Sequence, residues 1–192
     1  MGFSRPSRAF VAATLAATVA VFCGAVPAMA DGNGIPSPLV GETFALTPDS
    51  GWTGDAKMCL DVTQASTANF APVEQWSCHY GPNQQWRLEV GPKGTYLLRN
   101  VHSWMCLEVL DYRTDNGAPT DQFPCYADGV KGTNQEWRMT WNDQEGYATF
   151  VNVNSNLCLS ADGYGTTNGR LIVQDPCYGW ALDERWDVSY SW

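Results

Sequence analysis

Past residue 30 the apolar positions alternate with polar ones over short stretches. Leu60 and Val62 alternate with Cys59 and Asp61, and Val73 and Gln75 alternate with Glu74 and Trp76. A period of two belongs to a strand with one face on a core and the other toward water. Gly, Pro, Asn and Asp interrupt the pattern every eight to twelve residues, and no stretch after residue 30 holds a helical period. The pattern predicts many short strands joined by tight turns. Asn116-Gly117 and Asn168-Gly169 predict two of those turns, since both residue types tolerate positive φ.

The long apolar run lies at the start. Arg5 and Arg8 precede the stretch Ala9 to Val26, and Ala28-Met29-Ala30 follows it. Positive, then apolar, then small-x-small reads as a secretory signal cleaved after about Ala30. The run approaches the length of a membrane span. Its small-residue exit and the Gly/Pro-rich residues 31–41 favour cleavage over anchoring, and Phe22 before Cys23 is too bulky for a lipoprotein signal. With no second apolar run, the chain predicts a secreted protein without membrane insertion. Residues 31–41 read as an irregular leader.

The remainder repeats itself. KMCLDV, WMCLEV and NLCLSA place cysteines at 59, 106 and 158, and QWSC, QFPC and QDPC place them at 78, 125 and 177. The separation within each pair is nineteen. Asn69, Asn116 and Asn168 stand nine before each second cysteine, and Gln75, Gln122 and Gln174 stand three before it. Trp86, Trp137 and Trp186 follow, 51 and 49 residues apart. Residues 42–192 therefore form one domain of three units, about 42–93, 94–144 and 145–192. No unit of this size buries its own apolar face, whereas three can close around a shared core and remove exposed strand edges.

Six cysteines remain after the signal, and fifteen pairings are possible. The repeat selects Cys59–Cys78, Cys106–Cys125 and Cys158–Cys177, one staple per unit. Each closes a short loop, contributing about 3 kcal/mol in the chain-entropy model. Zinc, the alternative, wants closer cysteine pairs than these. Eleven basic against twenty acidic residues give a net charge of −9. That balance, without basic runs, excludes nucleic acid and anionic membrane as partners. Only His79 and His102 are histidines, and neither a G-x-S-x-G nor a phosphate loop is present. The sequence therefore predicts neither an enzyme nor a bound metal or cofactor.

C-L-D-V, then N-x-x-P-x-x-Q-W-x-C, then N-Q-x-W resembles the ricin B-type lectins, or ricin-type carbohydrate-binding modules, and the resemblance extends over most of residues 42–192. It implies an all-β fold, a β-trefoil of twelve strands with a six-stranded barrel capped by three hairpins, and up to three sugar sites. In that family a site uses an acid two residues after the first cysteine, a polar residue and an aromatic four and two before the second, and the Asn-Gln of N-Q-x-W. Carried over, the first site is Asp61, Glu74, Trp76, Asn83 and Gln84, with His79 as a further contact. The second is Glu108, Asp121, Phe123, Asn134 and Gln135. The third is Ser160, Val173, Asp175, Asp183 and Glu184.

The chemistry stands apart from the resemblance. An indole such as Trp76 offers a flat apolar platform to the C–H face of a pyranose. The Asp61 carboxylate can accept from two adjacent hydroxyls. Asn83 offers a donor and an acceptor, and Gln84 reads as the residue that holds Asp61 in place. Glu74 and Trp76, two apart on a strand, share a face, and Val73 and Gln75 take the other. The second set is weaker. Glu108 is longer than Asp, Phe123 lacks a polar handle, and its loop before Asn134 is four residues longer than the first. The third lacks both platform and acid, and is expected to serve structure alone.

Trp86, Trp137 and Trp186 recur in all three units, including the degenerate one, and are expected in the core. Gln75, Gln122 and Gln174 read as buried amides in need of backbone partners. Trp52, Trp104, Trp141, Trp180 and Trp192 have no repeat position, and some are expected to plug the barrel end. The resulting expectation is a non-catalytic lectin for neutral sugars such as galactosides or a xylan-type polysaccharide. Its rivals are a protease inhibitor acting through a loop near 127–133, the glycan-binding subunit of a toxin or enzyme complex with a partner protein, and a trefoil hydrolase.

Overall fold

The computed structural model describes residues 40–53, 56–126, 132–163 and 165–190. The expected signal segment, the leader as far as residue 39 and most of the loop near 127–133 lie outside the described residues. Thirteen strands appear among the described residues: β1 (Thr43–Pro48), β2 (Trp52–Thr53), β3 (Ala56–Val62), β4 (Ala71–Ser77), β5 (Trp86–Val90), β6 (Tyr96–Asn100), β7 (Cys106–Val109), β8 (Thr120–Phe123), β9 (Trp137–Asn142), β10 (Tyr147–Asn152), β11 (Cys158–Ala161), β12 (Arg170–Asp175) and β13 (Trp186–Ser189). Turns and single turns of 3-10 helix join them, and no α-helix occurs among the described residues. Beyond the expected twelve strands, the extra one is β2, a two-residue pairing against the start of β3.

Six strands close into a ring. β1 pairs with β5, β5 with β6, β6 with β9, β9 with β10, β10 with β13, and β13 with β1. Each repeat adds a hairpin outside the ring: β3–β4, β7–β8 and β11–β12. The hairpins meet in a triangle through Ala71 with Gln122, Leu171 with Glu74, and the bridge of Pro119 with Val173. Barrel plus triangular cap is the β-trefoil, and closure leaves the ring no free edge. Pairing begins before the predicted domain boundary, since Val40 bridges Leu88 and the Gly41 amide donates to the Leu88 carbonyl at 2.8 Å.

The repeat tryptophans lie where their recurrence predicts. Trp86, Trp137 and Trp186 are fully buried with Phe44, Leu46, Leu60, Leu88, Leu98 and Phe150 around them. Each indole N–H donates to a carbonyl at the base of its own hairpin: Leu60 at 2.9 Å, Leu107 at 3.3 Å and Leu159 at 3.0 Å. The ring fills the core while its polar atom is satisfied, and this pins each hairpin to the barrel.

The three glutamines tie the repeats to one another. Gln75 Nε2 donates to the carbonyls of Gly165 and Thr167, Gln122 Nε2 to Ser66 and Ala68, and Gln174 Nε2 to Arg113 and Asp115. First reaches to third, second to first, third to second, closing a cycle around the threefold axis. The disulfides form as the repeat predicts, Cys59–Cys78, Cys106–Cys125 and Cys158–Cys177.

Of the five tryptophans outside the repeat pattern, Trp104 and Trp180 are 58% and 68% exposed and plug nothing, while Trp141 packs partly buried against the core; the Trp52 side chain and Trp192 lie outside the described residues. In the turns at Asn116-Gly117 and Asn168-Gly169 only the glycines take positive φ, 74° and 83°. The first repeat has Phe70 at that position and forces it to φ 63°.

Candidate functional site

The first-repeat residues converge. β3 and β4 pair so that Asp61 faces Glu74 and Cys59 faces Trp76, and the turn Pro82–Gln84 brings Asn83 and Gln84 under the hairpin. Asp61 Oδ2 accepts from Gln84 Nε2 at 2.7 Å and from Asn83 Nδ2 at 3.0 Å, and lies 3.6 Å from His79 Nε2. Gln84 also donates to the Ser77 carbonyl, while its Oε1 accepts from the amides of His79 and Tyr80. One fully buried amide thus holds both the carboxylate and the loop after Cys78. His79 Nδ1 accepts from the Gly81 amide at 3.0 Å, which leaves the ring proton on Nε2, facing Asp61.

Asp61, Glu74, Trp76, His79 and Asn83 line one pocket of about 440 Å³, together with Thr63, Gln64 and Ala65. Trp76 is 40% exposed while Asp61 and Asn83 are nearly buried. Burial pushes the Asp61 carboxyl above its usual range, opposed by the Gln84 hydrogen bond and by neighbouring His79 and Asn83. Burial also raises Glu74, opposed by a hydrogen bond from Thr63 and reinforced by the Asp61 charge. Asn83 differs from its expected role. Its Nδ2 is engaged by Asp61 and by the Val62 carbonyl at 3.3 Å, so its side chain serves chiefly to shape the carboxylate.

The second repeat builds the same frame with other groups. Gln135 Nε2 donates to Glu108 Oε2 at 2.7 Å and to the Pro124 carbonyl, and Gln135 Oε1 accepts from the Tyr126 amide at 2.9 Å. Glu108 faces Asp121 across β7 and β8. Phe123 packs between Phe70 of the first repeat, at a centroid distance of 4.7 Å, and Tyr126 at 5.9 Å. Tyr126 stands where the first site has His79, and Tyr112 where it has Ala65.

In the third repeat Ser160, Val173, Asp183 and Glu184 come together without an aromatic platform. Ser160 Oγ donates to Asp183 Oδ2 at 3.2 Å, and Glu184 accepts the Tyr178 amide at 2.9 Å, the loop-holding task of Gln84. Glu184 has no N–H to offer, so an acid at the Asp61 position would face a second buried carboxylate; the repeat carries Ser160 there instead. Asp175, at the platform position, is pushed up by burial and by the Asp183 charge.

Sequence reasoning missed Thr63, Gln64 and Ala65 in the first pocket, and Tyr112 and Tyr126 near Glu108 in the second repeat. They lie on the turns after β3, after β7 and after the second cysteine, and the first repeat shares no residue type there with the other two. Equal offset from the cysteines was the signal that could have found them.

Comparison with known proteins agrees with this geometry. The family model of the ricin-type beta-trefoil lectin domain matches residues 52–186. The chain belongs to that family. No curated protein matches the sequence. Among solved structures, the designed threefold-symmetric protein ThreeFoil is 30% identical, with a TM-score of 0.69 over 78% of this chain and 99% of its own. An exo-beta-1,3-galactanase from Clostridium thermocellum is 24% identical, with a TM-score of 0.68 over 82% of this chain but 32% of its own. A ricin B-like lectin from Macrolepiota procera, solved with lactose, is 18% identical, with a TM-score of 0.63 over 79% and 97%. The last two show a shared fold. The family is one of carbohydrate-binding modules, and the three disulfides accord with an extracellular protein.

Proposed function

We propose that the protein is a secreted, non-catalytic lectin whose first repeat binds a neutral sugar, a galactoside or a xylan-type polysaccharide. One observation carries the reading: Trp76, 40% exposed, shares an open pocket with Asp61, whose Oδ2 is fixed by Gln84 and Asn83. A sugar ring stacks on the indole. Its hydroxyls donate to Asp61 and Glu74, and His79 Nε2–H turns to meet a sugar oxygen. Because Gln84 sets the carboxylate beforehand, little order is lost on binding. The signal at residues 1–30 and the disulfides support secretion. The lactose-bound relative supports a galactoside, and the galactanase supports a β-linked galactan as a further candidate.

The site is shallow, and single-site affinity is expected near millimolar, about −4 kcal/mol. Galactose, lactose and xylo-oligosaccharides titrated against tryptophan fluorescence should give a saturable change. Trp76→Ala should remove at least tenfold of the affinity with the melting temperature unchanged. A disulfide-intact protein that responds to none of these sugars would refute the reading.

A further inference from the structure

The first and second sites share a frame and differ in how their acids are compensated. In the first, Asp61 Oδ2 has two amide donors and a histidine N–H beside it, and Glu74, at the position Asp121 holds in the second, receives a hydrogen bond from Thr63. In the second, Asp121 is 3% exposed, and neither Oδ1 nor Oδ2 has a hydrogen-bond partner. Asn134 is fully buried; its Nδ2 donates to the Val109 carbonyl at 3.0 Å, but its Oδ1 is likewise unpartnered. Glu108, directly across the strands from Asp121, receives Gln135 on one oxygen. Tyr126 replaces the histidine. Asp121 faces Glu108 across the strands and the Asn134 side chain borders Glu108 as well, so three acceptor oxygens without a hydrogen-bond partner stand around one glutamate, an arrangement that costs free energy.

We infer that the second repeat binds the protonated primary amine of an amino sugar, a hexosamine with a free –NH3+ group. This rests on the reading of these repeats as sugar-binding and narrows the ligand of the second one. An ammonium carries three N–H donors and no acceptor, which matches Asp121 Oδ1, Asp121 Oδ2 and Asn134 Oδ1. A sugar hydroxyl supplies one donor and brings its own acceptors. Burial, then the charges of Glu108 and Asp111, lift the Asp121 carboxyl to about 8; an ammonium beside it favours the ionised form. A divalent metal fits less well, since the described residues contain no cluster of three His, Cys, Asp or Glu able to hold one.

The aromatics beside the acids suit the same ligand. Asp121 and Phe123 are two apart on β8 and share a face. Phe123 is extended by Phe70, half exposed and held at φ 63° where the other repeats use glycine. These faces attract a cation and the C–H surface of the ring that bears it. Tyr112, 43% exposed, has its phenol close to Tyr126 and Glu108.

The test uses the full protein and its Trp76→Ala variant, with backbone amide NMR shifts as readout. The probes are the β-1,4-linked glucosamine disaccharide, its fully N-acetylated counterpart, and Nα-acetyl-lysine methylamide. The free-amine disaccharide should shift Glu108, Asp121 and Tyr126 in both proteins, at least tenfold tighter than the acetylated one. Asp121→Asn should weaken it at least tenfold while the protein still unfolds cooperatively, and Phe70→Gly several-fold. Equal binding of the two disaccharides, no shift at those residues, or shifts spread over the acidic surface would overturn the inference. So would equal binding of the lysine derivative, or the same shifts from calcium alone. If the wild type binds galactosides or xylo-oligosaccharides while the amine arm fails, only this inference falls. If no sugar binds at all, the lectin reading falls with it.

Discussion

Phe70 shows how one residue is spent on a contact instead of on local comfort. A bulky side chain at positive φ costs about 1–2 kcal/mol, and the equivalent Gly117 and Gly169 avoid that cost. Its ring lies against Phe123 in a tilted pair, an arrangement worth about 0.5–1.5 kcal/mol. The two nearly cancel, so Phe70→Gly should change unfolding free energy by less than about 1 kcal/mol in urea titration. A loss several times larger would mean that the ring holds the fold together rather than a ligand. Gln84 is the opposite case. It makes four hydrogen bonds, to Asp61, Ser77, His79 and Tyr80, and its role as the holder of Asp61 was legible from its place beside Asn83. That Asn83 would turn its own amide inward was not, because a spacing does not say which way a side chain points.

The hairpin is the unit that carries each site, and its place depends on the neighbour. Gln122 donates from the second hairpin to the Ser66 and Ala68 carbonyls of the first, and its Oε1 accepts from Ser103 at 2.6 Å. Gln122→Met preserves volume but strands those carbonyls and the hydroxyl. It should cost about 1–3 kcal/mol, measured by denaturant unfolding, and should loosen the turn after β3 that lines the first pocket. Weakened sugar affinity at the first site from this second-repeat change would follow; unaltered stability would show that water replaces the glutamine without loss. The recurrence of Gln75, Gln122 and Gln174 announced buried amides. Their cyclic handover between repeats needed the threefold assembly, since each partner lies more than fifty residues away in the chain.

Across the whole molecule, burial lifts the carboxyls of Asp61, Glu74, Glu108, Asp175 and Glu184, and carries Asp121 to about 8. A carboxyl whose folded pKa exceeds its unfolded value binds its proton more tightly in the folded state. Stability then falls as pH rises from the unfolded pKa to the folded one. For Asp121 that window runs from 3.8 to about 8. The melting temperature should therefore decline between pH 4 and pH 8, and Asp121→Asn should flatten the upper part of the decline. The exposed Asp115, lowered by its hydrogen bond with Arg113, acts in the opposite sense, with little weight because water screens it. A wild-type curve that climbs steadily to pH 8 would contradict the burial of these acids.

The sequence by itself determined what recurrence and alternation can encode: strands of period two, three units, three staples, three core tryptophans and the residue types of the first site. These are properties of local pattern, and the equal offsets repeat them three times over. Only the tertiary structure decided which acids are compensated. Glu74 and Asp121 hold the same offset in their repeats, yet Glu74 receives a hydrogen bond from Thr63 while both oxygens of Asp121 go without a partner beside Glu108 and Asp111. The partners come from turns whose sequences differ between repeats, and folding brings them within hydrogen-bond reach. Charge compensation is a matter of distances in space, so closure of the barrel and its cap fixed it.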